Sequence, residues 1–175
     1  MKLLIIAPIV IPFISAIVML FFWNKPAVHR ILNLGGFTFL LISSILLLIK
    51  INDLEIFVLQ VGDWRAPFGI SLVADLFSSI MVAISGIIGF TTAVYSLANI
   101  DLDREKFGYY PLLQILMMGI NGAFLTGDVF NLYVWFEVML ISSFVLPALG
   151  GRKAQLEGAI KYVTINLISS AIFLA

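Results

Sequence analysis

The sequence contains no cysteine in 175 residues and a single histidine. The first absence excludes disulfides, thiol nucleophiles, haem attachment motifs and cysteine-ligated zinc or iron-sulfur centres. If electrons are involved, another subunit carries them. Charge is scarce too: 11% of the residues are charged, and 10 basic and 10 acidic side chains cancel. That balance excludes the basic surface that holds nucleic acid and the acidic tail of a solvated interaction arm. The sequence also lacks a Gly-rich phosphate loop, a His-containing metal motif, a nucleophile elbow and a paired-carboxylate hydrolytic site. Soluble enzymology has no foothold, and neither a cofactor nor a resident metal is predicted.

What is abundant is hydrocarbon. At 62% hydrophobic residues and a mean hydropathy of +1.12, too few polar groups exist to cover a water-soluble globule of this size. The predicted fold class is all-α integral membrane, with partners in the bilayer. Six apolar segments can each cross a hydrocarbon core of roughly 30 Å: Leu3–Trp23, Ile31–Ile49, Ser71–Ala98, Tyr109–Thr126, Val129–Leu149 and Gly158–Ala175. The first begins like a signal peptide, but its length and the lack of a small-residue cleavage site predict a retained helix. Lys50 to Ile70 forms the longest connection, with Asp53, Glu55, Asp63, Arg65, Trp64 and Pro67; its fragment "IFVLQVGDW" reads as a short strand or an interfacial turn. Gly127-Asp128 makes a turn so tight that the fourth and fifth spans must be antiparallel neighbours.

Counting basic residues on the two sides gives a direction. Lys25, Arg30, Arg104, Lys106, Arg152 and Lys153 share one side, against Lys2, Lys50 and Arg65 on the other. The positive-inside rule then places the N-terminus outside. Glu137 descends from the outer end of the fifth span, about 13 Å beyond Asp128, near the bilayer midplane. It is the only charge between Asp128 and Arg152, and a carboxylate in hydrocarbon is costly enough to require a role. Taking a carboxyl out of water disfavours its charged form, and an approaching cation favours it. Those opposed effects let an acid load and unload a proton.

Two further ionisable groups lie within spans. Lys161, one turn into the sixth, either snorkels to the headgroups near Arg152 and Lys153 or joins Glu137 in a relay. Asp75, one turn into the third, follows Ser71 at a helix N-terminus, where unsatisfied N–H groups favour a carboxylate; a structural role competes there with a weak functional one. Gln114 and Asn121 share a face of the fourth span, while Gly119 and Gly122 let another helix approach. Thr164, Asn166, Ser169 and Ser170 hold water or bond neighbouring helices. His29 reads as solvated or at the headgroups, Trp23, Trp64, Tyr109 and Tyr110 as interfacial aromatics, and Pro8, Pro12 and Pro147 as points where helices kink or loosen.

Three stretches together resemble a known family. "TGDVFNLYVWFEVMLISSFVL" is similar to the fifth helix of the antiporter-like membrane subunits shared by Mrp-type Na+/H+ antiporters, respiratory complex I and membrane-bound hydrogenases. "EGAIKYVTINLISSAIFLA", with its Lys161-Tyr162 pair, resembles the helix that follows, and "GISLVADLFSSIMV" the third helix with its early Asp. Within the family "FNLYVWFE" is closest to the Mrp D-subunit branch; complex I versions more often place Trp directly before Glu, whereas here Phe136 intervenes.

The resemblance implies a proton-translocating subunit of about fourteen helices with two inverted repeats, each with a broken helix near the bilayer middle. Glu137 matches the family's helix-five glutamate, whose lysine partner lies on a seventh helix beyond these residues. The implied division is three leading helices over 1–108, with an extracytoplasmic loop near 50–70, and the first three helices of the first repeat over 109–175. The expectation is a fragment of a longer cell-membrane subunit whose partners are other membrane subunits, protons, Na+ and the lipid bilayer. Two rivals remain: a membrane-arm subunit of a redox-driven proton pump, and a noncatalytic scaffold.

Overall fold

Backbone N–H and C=O groups find no water in hydrocarbon, so apolar runs of this length resolve into helices that satisfy those groups internally. The computed structural model describes residues 1–54, 56–64 and 69–174. Along the chain lie α1 (Lys2–Phe21), α2 (Pro26–Leu54), β1 (Ile56–Gln60), a short 3-10 turn (Val61–Asp63), β2 (Ser71–Asp75), α3 (Leu76–Asn99), α4 (Leu102–Lys106), α5 (Tyr109–Leu125), α6 (Val129–Ala148) and α7 (Lys153–Leu174). Four of the helices, α1, α2 as far as Asp53, α3 and α6, are long and apolar enough to cross a membrane, and α5 is a shorter apolar helix. The chain is a multi-pass membrane protein. α7 occupies the sixth predicted span but starts at Lys153, so its first turns carry Lys153, Glu157 and Lys161.

Two boundaries differ from expectation for physical reasons. α2 runs 29 residues rather than the shorter predicted span, so its polar end, with Lys50, Asn52 and Asp53, extends the helix beyond the apolar run. The third span does not begin at Ser71, because Ser71–Asp75 is a strand. β2 pairs antiparallel with β1, in register from Ile56 opposite Asp75 to Gln60 opposite Ser71. "IFVLQVGDW" is therefore a strand followed by a 3-10 turn. Glu55, Arg65 and Pro67 lie outside the described residues.

The hairpin does not stand apart from the helices. Leu72 forms a bridge with Thr126, and the amide of Gly127 donates to the Ser71 carbonyl at 2.8 Å. β2 thus pins the turn between α5 and α6 with main-chain bonds. Leu59, Leu72 and Ala74 turn their other side into a core with Ile5, Ile9, Leu47 and Leu125. A second core, with Phe37, Leu40, Ala93, Leu113 and Met117, joins α2, α3 and α5.

The helix order follows from this packing. α5 lies against α1, α3 and α6, α2 against α1 and α3, and α7 against α6. The antiparallel pairing of α5 and α6 expected from a tight turn is present, across a three-residue connection, 126–128. Gln114 and Asn121, predicted to share a face, are both fully buried. Gln114 donates from Nε2 to the backbone and side-chain oxygens of Asn33 on α2, 3.2 Å each, and Ser85 on α3 donates to the Asn121 carbonyl oxygen.

Candidate functional site around Glu137

The helix that carries Glu137 is fixed at its start. Asp128 caps α6, accepting the Asn131 amide at 2.6 Å, and the Asn131 side chain donates to Thr126 Oγ1 at 2.8 Å. An N-cap carboxylate satisfies one of the donors that the first helical turn leaves free. Farther along, α6 meets α5 through two glycines. A Cβ on Gly122 would strike the Trp135 ring, and one on Gly119 would lie 2.8 Å from Met139 Cγ. The close approach predicted for these glycines is observed, and it turns Trp135, Val138 and Met139 toward α5.

Glu137 sits on another face, half-buried. Its Oε1 is buried and has no hydrogen-bond partner among the described residues. Tyr133 stands one turn earlier on α6 and stacks on Phe173 of α7 with ring centroids 6.2 Å apart. A groove of about 280 Å3 runs between α6 and α7, lined by Tyr133, Phe136 and Leu140 on one wall and by Asn166, Ser169, Ser170 and Phe173 on the other. Positions 133, 136 and 140 recur at helical spacing and form the first wall; Glu137 follows Phe136 in sequence and does not line the groove. The arrangement combines an acid, a phenol and a polar opposite wall within an otherwise apolar span. A carboxyl in such surroundings can bind and release a proton.

The other predicted site residues are placed differently. Lys161 is not brought to Glu137: its ammonium pairs at 2.6 Å with Glu157 of its own helix, and both side chains are exposed. A four-residue spacing places the two on one helical face. Asp75 lies not one turn into a helix but at the N-cap of α3, where it accepts the Ser78 amide at 2.7 Å while Ser78 Oγ accepts the Asp75 amide at 2.9 Å. This reciprocal box is the structural role, and the Ser78 amide holds the Asp75 carboxyl below its ordinary value of 3.8.

Two positions correct the sequence reading, and one site was missed. His29 is not solvated; it is 1% exposed, and its Nε2 lies 2.9 Å from the Met19 carbonyl at the end of α1. Tyr110 is not an interfacial aromatic, since it is fully buried. Its hydroxyl donates to Glu105 Oε1 at 2.7 Å. Glu105, itself 1% exposed, accepts a two-pronged contact from Arg30, Nε to Oε1 at 2.8 Å and Nη2 to Oε2 at 3.1 Å. The only signal for this pair was that its members stand on the same side in the count of basic loops. A run such as "DLDREK" reads as solvated charge.

Comparison with known proteins places this geometry. No family model matches the chain. A protein of Alkalihalophilus pseudofirmus, named as the D subunit of a Na(+)/H(+) antiporter, is 44% identical over 171 residues, covering 98% of this chain and 35% of the relative. Over nearly all of its own length the chain is similar to D subunits of Na(+)/H(+) antiporters. It spans about a third of the length of such relatives, and it is matched over nearly all of its own. The structure of the Mrp complex from Dietzia sp. DQ12-45-1b contains a chain that superposes with a TM-score of 0.89 at 27% identity, covering 99% of this chain and 33% of that one. A chain of an archaeal respiratory membrane complex, the membrane-bound sulfane sulfur reductase, gives a TM-score of 0.87 at 22% identity, over 99% of this chain and 36% of that one. That second likeness concerns the fold alone. It extends the D-subunit fold to an assembly of another kind.

Proposed function

We propose that this chain forms part of a membrane subunit of a multisubunit Na+/H+ antiporter, in which Glu137 takes up and releases the translocated proton. The carrying observation is the buried carboxyl oxygen of Glu137, left without a hydrogen-bond partner among the described residues in an apolar helix. An ionisable group retained at such depth marks an ion path by default. The name of the A. pseudofirmus relative supports sodium as the exchanged ion, and the Dietzia complex supports partner subunits in the bilayer. The chain acts as a transporter component rather than an enzyme. Residues 1–108 form a leading part and 109–175 the start of an antiporter-like repeat, with the N-terminus outside. Lys161, paired with Glu157, serves as a modulating charge toward the basic side rather than as the direct partner of Glu137.

The test is sodium-dependent proton movement in membrane vesicles, normalised to assembled complex. Glu137→Gln keeps the shape and most hydrogen bonding of the side chain but cannot titrate, so its transport should fall at least about tenfold while assembly persists. Full transport in Glu137→Gln would leave the scaffold reading as the better one. The fold shared with the sulfane sulfur reductase keeps a redox-driven pump as second reading; quinone, flavin or metal-cluster proteins purified with the complex would favour it. Orientation is checked by single cysteines at Lys2 and Arg152, which should label with an impermeant thiol reagent from outside and inside respectively, against a background free of native cysteine.

A further inference from the structure

The end of the bundle opposite the β1–β2 hairpin carries a cleft that the chemistry of Glu137 leaves unused. Its walls are α4 with the residue that follows it, and the turn between α6 and α7. Glu105 fixes the first wall: bonded to Arg30 on α2 and to Tyr110 on α5, it holds α4 against the helices behind it and keeps it from swinging across the gap. Gly151 keeps the second wall open. It turns the chain at φ 62°, and no atom lies within 4 Å of where its Cβ would stand.

The cleft has two unlike halves. The polar half, of about 420 Å3, is lined by Asp101, Asp103, Arg104 and Arg152. None of these four side chains forms an ion pair among the described residues, and Asp101, at the N-cap of α4, makes no side-chain cap bond. The apolar half, of about 290 Å3, is lined by Phe107, Val145, Ala148 and Leu149. Phe107, Leu149 and Gly151 border both halves, so the two are continuous. Val145 lies one turn back along α6 from Leu149, toward the middle of the span. Charge at the helix ends thus gives way to hydrocarbon within about one turn, as it does in a bilayer at the level of the headgroups.

Charge selects the occupant. Two guanidiniums face two carboxylates, so an ion of either sign would be attracted by one pair and repelled by the other. A molecule without net charge, bearing a phosphate and an ammonium a short tether apart, satisfies both. Each guanidinium donates to phosphate oxygens in its forked geometry, and a primary ammonium has three donors for the carboxylates. The apolar half requires a hydrocarbon chain on the same molecule. We infer that the cleft between α4 and the α6–α7 turn binds a phosphatidylethanolamine-type lipid, with its phosphate on Arg104 and Arg152, its ammonium on Asp101 and Asp103, and an acyl chain along Phe107, Val145 and Ala148. Phosphatidylglycerol lacks the ammonium, and the ammonium of phosphatidylcholine has no N–H to donate. The bound lipid joins α4 to the end of α6, and it does so whether or not Glu137 moves a proton.

The experiment places the assembled complex in phosphatidylglycerol vesicles with a trace of phosphatidylethanolamine whose acyl chain bears a photoactivatable diazirine, and maps the adducts by peptide mass spectrometry. Adducts should fall on Phe107 and on residues 145–149. Excess unlabelled phosphatidylethanolamine should reduce them about tenfold, whereas the same amount of phosphatidylcholine should leave them within about twofold. Arg104→Gln combined with Arg152→Gln should lower labelling about tenfold, as the loss of charge-assisted hydrogen bonds requires. Asp101→Asn combined with Asp103→Asn should let phosphatidylcholine displace the probe as well as phosphatidylethanolamine does. No adducts at Phe107 and 145–149, whether because another part of the complex covers the cleft or because no lipid enters it, would overturn the inference. Equal displacement by phosphatidylcholine in the unaltered protein would overturn it too, as would equal labelling by a phosphatidylglycerol probe. Should the arginine variants assemble poorly, mapping and competition in the unaltered complex decide by themselves.

Discussion

Asn121 on α5 donates its side-chain amide to the backbone carbonyl of Pro8 on α1 at 3.1 Å. Four residues farther along α1 stands Pro12, which has no N–H to give that carbonyl its usual helical partner. One imino acid in α1 and one amide in α5 therefore answer each other across the interface. A polar side chain that looks like a candidate for an ion path is occupied in completing a helix.

That relationship predicts a rescue. Asn121→Leu strands the Pro8 carbonyl in an apolar interior and should destabilise the protein by about 1–3 kcal/mol. Adding Pro12→Ala restores a backbone donor within α1, so the double variant should recover part of the loss. Thermal unfolding in detergent reads both; equal stability of single and double variants would show that the two residues are not coupled.

The Arg30–Glu105 pair predicts an asymmetry. The Glu105 side chain is fully buried, whereas that of Arg30 is 38% exposed. Arg30→Ala leaves a carboxylate buried with only the Tyr110 hydroxyl to satisfy it and should be the more destabilising of the two changes. Glu105→Ala leaves a guanidinium that can reach water, and should cost about 1–3 kcal/mol. The order of the two midpoints in denaturant is the measurement, and the reverse order would mean that the carboxylate finds water after all.

Asp75 predicts a pH dependence of stability that leaves transport untouched. Its folded carboxyl titrates below the unfolded value because the Ser78 amide bonds the charged form. The contribution is therefore present above about pH 4 and is lost as the pH falls through the lower folded value. Asp75→Ala should cost about 1 kcal/mol at neutral pH, lose that deficit on acidification, and transport normally per assembled complex. A transport defect comparable with that of Glu137→Gln would return Asp75 to the ion path.

The α5–α6 contact predicts intolerance of bulk. Gly122→Val drives a branched side chain into the Trp135 ring and should cost about 1–3 kcal/mol, with transport falling further than stability as α6 is displaced. An accompanying Trp135→Leu should relieve the strain. Failure of that relief would show that Gly122 matters for something other than space.

The site was legible in proportion to how isolated its charges are in sequence. Glu137 stands alone between Asp128 and Arg152, and the cost of burying a lone carboxylate is enough to single it out. Asp75 was legible as a helix-start carboxylate, though its helix begins one strand later than hydropathy suggests: Ser71–Asp75 is apolar enough to read as continuous with α3. Glu105 was hidden in a short stretch of mixed charges, because burial there comes from a partner 75 positions away, which local composition does not register. His29 was hidden for the same reason, since its acceptor belongs to the preceding helix. Tyr133 reads as one more aromatic in an apolar span, and only the fold sets Phe173 against it.

The stitching of β2 to the α5–α6 turn uses the carbonyl of Ser71, the amide of Gly127 and a bridge from Leu72 to Thr126. Backbone atoms are common to every amino acid, so this fastening is blind to spelling. Residues at this end of the bundle can drift in identity while the distance from the hairpin to Glu137 stays constant, provided the number of residues from Ser71 to Asp75 and from Thr126 to Glu137 is kept. The hairpin works as a ruler: what it preserves is spacing, and an insertion of one residue would disturb it more than many replacements.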